Sequence, residues 1–306
     1  MKRFLSFFAA ALIAALPLSA ANVADDPYLA NTETQEFNLN GFSGLSISWI
    51  YQVELSQSAR YSVKVEAADF VMPYLDVTVS GGVLKLGLKD VPRDLRRRIE
   101  SGNLRVVATI TMPELTSLRM SGASKLNAQG SFSSRKDFDF DLSGATIVQG
   151  LVVRAKEARI EASGAAKFSL TGSFDEMRGR LSGSVNGTME TNAKQVRLEL
   201  SGAAKLSNKG TFGPTEVRAS GAAVLDLDGT TSELDIEGSG AAKINTSDAP
   251  SRTAKVRLSG AANANIHVNE ELSVSLSGAS HLRYRAGDRL RILSQSVSRA
   301  SSLSAY

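Results

Sequence analysis

One tripeptide recurs along half the chain and limits what that half can fold into. Ser-Gly-Ala starts at Ser121, Ser143, Ser163, Ser201, Ser220, Ser239, Ser259 and Ser277, and Ser-Gly-Ser at Ser182. The steps between successive serines are 22, 20, 19, 19, 19, 19, 20 and 18 residues. A period near 20 with so little variation marks a repeat architecture. Within each repeat, apolar and polar residues alternate. In "VRLELSGAAKL", Val196, Leu198 and Leu200 share one face, and Arg197, Glu199 and Ser201 share the other. A period of two means strands, each with one buried and one wet face. A unit of this length cannot bury its apolar face alone, so it must stack on its neighbours. The expected fold is therefore all-β: a single-stranded parallel β-helix, or β-solenoid, with strands about 4.8 Å apart and nine rungs extending roughly 40 Å. The coil 197–216 divides into "RLELSG", "AAKLSNKG" and "TFGPTE", the sides of a rough triangle.

The tripeptide is expected to be the corner that every coil turns at the same place. Gly122, Gly144, Gly164, Gly183, Gly202, Gly221, Gly240, Gly260 and Gly278 supply backbone freedom there and let coils approach closely. The serine is expected to bond to the backbone of the turn, and the alanine to fill its narrow inside.

A second pattern lies on the first. Four residues after each corner serine come Lys125, Ile147, Lys167, Asn186, Lys205, Val224, Lys243, Asn263 and His281. Lysine on adjacent rungs would repel at about 5 Å; on alternate rungs the charges lie roughly 10 Å apart, about one Debye length. Lys125, Lys167, Lys205 and Lys243 thus form a candidate surface binding ladder. Phe132, Phe174 and Phe212, each eleven residues after its serine, are expected to plug the core on alternate coils.

The rest of the chain divides around this array. Lys2 and Arg3, the apolar run after them and the small residues before Ala20 and Ala21 read as a signal peptide over 1–21; the alternative is an uncleaved anchor, for which the run is short. Residues 22–36 read as a linker. Residues 37–120 read as strands forming the first irregular coils or a cap, with a hairpin at Gly81-Gly82 and a helical turn or loop at 93–102. Residues 121–295 form the regular solenoid. Residues 296–306 read as a polar tail, with Ser296 at the next corner place. The chain has no cysteine, so no disulfide staples it and no lipid anchors it through Cys, which suits an exported protein held by packing. Removal of 1–21 takes Lys2 and Arg3 away, and the net charge falls from +4 to +2. The segment 89–105 still holds six Lys/Arg against three acids, a solvated loop or a patch for anionic headgroups or glycans.

The corners "MSGASKLNAQG", "LSGAAKLSNKGTF" and "LSGASHLRYRAGD", preceded by "FSGLSISWIYQVELSQS", "YSVKVEA", "VSGGVLKLGLK" and "LRVVATITMPELTSLRMSGAS", resemble the auto-transporter adhesin head GIN domain family. The resemblance covers roughly 37–285. It implies an exported bacterial β-helical domain, wound right-handed, which is also the commoner hand. The family name implies adhesion, and the family offers no catalytic motif to carry over. Its members tend to have Gly-x-Pro after the last tyrosine; here Gly287 has no such proline, so that turn is expected to differ.

Little chemistry is legible. The two histidines, His267 and His281, have no ligand spacing around them, so neither metal nor cofactor is expected. Asp137, Asp139 and Asp141 lie on one strand face, a site for Ca²⁺ or for action on a uronic-acid polymer, or simply a wet face opposite Phe138 and Phe140. No serine elbow, phosphate loop or dinucleotide fingerprint occurs. The expected function is that of a non-enzymatic exported module for binding, adhesion or envelope structure. It would be periplasmic or on the surface and would not span the membrane. An anionic glycan, lipopolysaccharide or an envelope protein would suit the lysine face, and nucleic acid would not, for want of stacking aromatics near the Arg run. The alternative is a β-helix enzyme acting on acidic polysaccharide.

Overall fold

The computed structural model describes residues 31–100, 104–134 and 136–306. The expected signal peptide lies outside the described residues. The chain is a β-solenoid of about ten turns. In each regular coil one side runs into the corner and a second side leaves it, with a short bend closing the loop. The coil through Ser201 shows the parts: Asn186–Leu200 rounds the bend and enters the corner, Lys205–Phe212 leaves it, and Thr215–Ala219 leads into the next. The side before the corner is called face A below, and the side after it face B.

Stacking puts like residues in columns. On face A the inward column runs Leu198, Val217, Ile236, Val256 and Val274, paired in parallel register. On face B it runs Leu206, Leu225, Ile244, Ala264 and Leu282. All ten are buried. Full burial of such a side chain contributes about 1.5–3 kcal/mol, so a column, not a single contact, is the unit of stability. Phe132, Phe174 and Phe212 are buried too. Phe174 and Phe212 share a column with Ala193 between them, large against small. Phe132 lies in a different column, with Val153 and Gly172, because the register shifts twice: once between Asn127 and Phe132 against the next coil, and once at the bulge between Val148 and Leu151.

The corner keeps the parallel ladder intact. Ser201 N–H donates to Leu181 O, Ala203 N–H to Gly183 O and Lys205 N–H to Val185 O, at 2.8–2.9 Å. The nine corner glycines have φ between 66 and 76°, the left-handed region. A Cβ on Gly202 would lie 3.0 Å from both N and O of Gly183 one coil below. The corner alanine and serine both differ from expectation. The alanine of the tripeptide is exposed, as at Ala203, and the residue after it, as at Ala204, fills the inside of the corner. Where the serine hydroxyl bonds, it reaches the coil below instead of its own turn: Ser143, Ser163 and Ser277 Oγ donate to Met120, Leu142 and Leu258 O at 3.4 Å.

The first coil is Gly44–Ile47 and Tyr51–Gln57, joined by a corner of another composition. Trp49 stands at the glycine place with φ 66°, and Ala123 N–H donates to its carbonyl at 2.7 Å. So the corner column does extend into 37–120, without glycine. The chain then leaves and returns on the far side of this coil. Val83–Leu88 pairs in parallel with Gly44–Ile47, and Val106–Met112 with Tyr51–Gln57. Ser117–Met120 and Lys125–Gln129 pair on the other side. Helix α1, Arg93–Glu100, takes the corner's place in the returning coil and buries Leu95 and Ile99, one helical turn apart. The Arg96 guanidinium lies 5.4 Å from the Trp49 ring centre. Antiparallel strands close this end: Leu75–Ser80 on Val83–Leu88 through the Gly81-Gly82 turn, then Ser62–Ala68 on Val106–Met112. Thr32–Phe37, mostly within the expected linker, is outermost and carries exposed Glu33 and Glu36, charges that discourage edge pairing.

At the other end the expected polar tail belongs to the sheet. Arg291–Val297 pairs with Glu271–Leu276, and Ser302–Ala305 with His281–Tyr284. The corner falls at Ser298, whose N–H donates to Leu276 O at 3.0 Å; Ser296 pairs with Ser275. The long turn between Ala286 and Arg291 and a register shift between Leu272 and Ser273 together account for the displacement.

Candidate binding face

The first outward position on face B is fixed by alternation: the residue before it is buried behind the corner, so this one is wet. Register places Gln52, Lys125, Ile147, Lys167, Asn186, Lys205, Val224, Lys243, Asn263 and His281 there in one column. Lys125, Lys167, Lys205 and Lys243 are exposed and occupy alternate coils. Among the described residues none of the four meets a carboxylate. Lys209, further along the same face, does, holding Asp228 at 3.3 Å. At the spacing of parallel strands the four ammonium groups stand about 9.6 Å apart. Their mutual repulsion is largely screened at that distance, so the ladder costs the fold little.

The next outward column is neutral and hydrogen-bonding over most of its length. Thr188, Ser207, Asp226, Asn245 and Asn265 follow one another in register. Asn245 Nδ2 donates to Asp226 Oδ1 at 3.3 Å.

Face A carries a different pattern, two residues before each corner serine: Glu161, Arg180, Glu199, Arg218, Glu237 and Arg257. Opposite charges alternate from coil to coil, so each cation meets an anion above or below. Arg180 Nε holds Glu199 at 3.0 Å, Arg197 Nε holds Glu216 at 2.8 Å, and Arg218 bridges Glu216 and Glu237. Arg257 grips Glu237 and Asp235, and these partners raise its already high pKa. The position before the corner carries a plain signal in the sequence; attention to the position after it alone misses this ladder. An open groove of about 700 Å³ runs between the ladder and the corner serines, from Arg180 to Ser277. Its wall is already neutralised by its own pairs. The arginines of the face A ladder are committed; the lysines of the face B ladder are free.

The remaining candidates do not assemble. Asp139 is tied to Arg159 at 3.1 Å, with both side chains about half exposed, while Asp137 and Asp141 are exposed beside it. Among the described residues no group of three His, Asp or Glu side chains is placed to hold a metal ion. His281 stands in the lysine column. His267 is half-buried on the next-to-last regular coil beside Arg285; burial first, then that cation, pulls its pKa below the usual histidine value, against a backbone contact with Ser247. No helix among the described residues is long and apolar enough to cross a membrane.

The stretch from the first coil to the last regular one is also what comparison recognises. Residues 41–206 and, overlapping them, 178–287 match the family described as "Putative auto-transporter adhesin, head GIN domain". The chain belongs to this family. No curated protein matches it. Among solved structures, a "putative adhesin" from Parabacteroides merdae is 14% identical, with a TM-score of 0.49 and coverage of 90% of this chain and 96% of that one. Another "putative adhesin", from Parabacteroides distasonis, is 14% identical at a TM-score of 0.49, covering 91% and 98%. A "putative lipid binding protein" from the same species is 16% identical at a TM-score of 0.42, covering 90% and 97%. The head GIN family and these structures are described as adhesins or binding proteins.

Proposed function

We propose that this head GIN protein is an exported, non-catalytic binding module of the bacterial envelope, and that face B meets its ligand. The observation that carries the reading is the contrast between the faces. Six arginines of face A, from Arg159 to Arg257, each hold a carboxylate of the same face. The four ladder lysines of face B, Lys125, Lys167, Lys205 and Lys243, hold none. A charge already paired gains little from a new partner; a free exposed ammonium keeps its full attraction for an anion. The ligand is therefore anionic, and an acidic glycan suits a file of lysines flanked by hydroxyl and amide groups, where Asp226 is held by Asn245 and Asp228 by Lys209.

The test is an array of acidic and neutral glycans probed with the purified chain and with a variant carrying Lys125→Gln, Lys167→Gln, Lys205→Gln and Lys243→Gln. The native chain should bind acidic glycans only, and less as salt rises. The variant should lose that binding while melting normally. Retention of binding by the variant refutes the assignment of face B.

A further inference from the structure

From the phase of the lysine ladder, and resting on the reading above, we infer that the ligand is a linear acidic polysaccharide with one anionic group per disaccharide, lying along the solenoid axis. The register places the four lysines in a single file, and the intervening coils present Ile147, Asn186 and Val224 at the same position. Cationic sites thus recur every two coils, about 9.6 Å, over a file about 29 Å long. That length engages four successive charges of a polymer whose disaccharide is close to two coils in extent. The adjoining column supplies hydrogen-bonding groups to the sugars: the hydroxyls of Thr188, on the coil between Lys167 and Lys205, and of Ser207, on the coil of Lys205, bond to no other described group, and Asp226, between Lys205 and Lys243, is held by Asn245.

Competing polyanions fit worse. Duplex DNA carries a charge every 1.7 Å or so along its axis, several times the density of the file. A lipid surface offers charge in two dimensions and rewards apolar side chains that enter it. The exposed large apolar residues of the described chain are Ile292, Leu293, Val297 and Tyr306, all at the C-terminal coil; the apolar residues of the file, Ile147 and Val224, are half-buried.

The experiment moves a charge without removing it. Lys167→Asn combined with Asn186→Lys keeps composition and net charge but shifts one ammonium to the adjacent coil. Both positions are exposed. Native and shifted chains are titrated onto immobilised hyaluronan, with one carboxylate per disaccharide, onto polygalacturonate, with one per sugar, and onto neutral dextran. The shift should weaken hyaluronan binding about fivefold, the contribution of one lysine near an anionic partner. It should leave polygalacturonate binding unchanged, because that polymer offers a carboxylate at every coil. A shift that changes neither polymer, or both equally, overturns the inferred period while the acidic-ligand reading stands. Binding of neither polymer above dextran overturns both. Lys205→Gln serves as a second variant and should weaken both polymers about fivefold; no loss on either also contradicts the single-file assignment.

Discussion

Replacing glycine by alanine at two places in the same coil should have very different costs. Gly202 sits in the corner at φ 68°, inside the small left-handed basin, where a non-glycine residue costs about 1 kcal/mol. Its new Cβ would press on Gly183 N and O at 3.0 Å, a contact relieved by a small displacement. Reduced freedom of the unfolded chain returns about 0.5 kcal/mol. The net loss should be about 0.5–1 kcal/mol, depending on how fully the contact relaxes. Gly229 lies at the far bend with φ 122°, outside any basin open to alanine. Its Cβ would fall inside the carbonyl oxygen of Gly210 on the coil below, a backbone atom held by the sheet. Backbone strain of about 2 kcal/mol and overpacking of about 2 kcal/mol add to roughly 4 kcal/mol. Guanidinium titrations of Gly202→Ala and Gly229→Ala should rank the midpoints in that order. Stacked coils do not always unfold in one step, so hydrogen exchange should accompany the titrations and show protection lost around 224–231 in the second variant. Equal midpoints for the two variants would refute the close approach of coils at this bend.

Other consequences are narrower. Tyr51 is buried, its hydroxyl donates to Gly87 O at 3.0 Å, and burial followed by Asp76 raises its pKa far above the usual phenol value. Tyr51→Phe should cost about 1 kcal/mol in denaturant, and the native phenol should not ionise in a spectrophotometric titration until the fold is lost. His267 has its pKa lowered in the folded chain, so the unfolded chain takes up the proton first as pH falls. Stability should therefore be full above about 6.5 and decline as pH drops through the depressed value; His267→Gln should flatten that part of the melting-temperature profile. Incubation with acidic polysaccharides should release no reducing ends or ultraviolet-absorbing product; turnover abolished by Asp139→Ala would establish the enzyme instead.

The regular coils were legible because three independent patterns agree: alternation along the strand, a step near 19, and glycine at one place. The lysine column followed from the same counting, since register in a parallel stack is set coil by coil. What escaped had physical reasons. Tryptophan in the left-handed region is rare for a non-glycine residue, so "SWI" does not announce itself as a corner. The return of 83–112 to the far side of the first coil cannot be read from alternation, which tells inside from outside but not which strand lies beside which. Register shifts at 127–132 and 148–151 move Phe132 out of the Phe174 column, and the turn after Ala286 with the shift near Leu272 moves the last corner from Ser296 to Ser298. The alternating charges before the corner have the same period as the lysines and gain meaning only beside their partners, as in Arg180 with Glu199.

The single file of lysines can be measured directly. The chain has no cysteine, so pairs introduced at exposed positions accept spin labels without background. Labels at positions 125 and 167, 125 and 205, and 125 and 243 span two, four and six coils. Pulsed dipolar distances should rise in equal increments of about 9.6 Å, reaching about 29 Å for the last pair. Distances that fail to grow with the number of coils between the labels would contradict the stacked register, and with it the corner column, the ladder and the face proposed to bind.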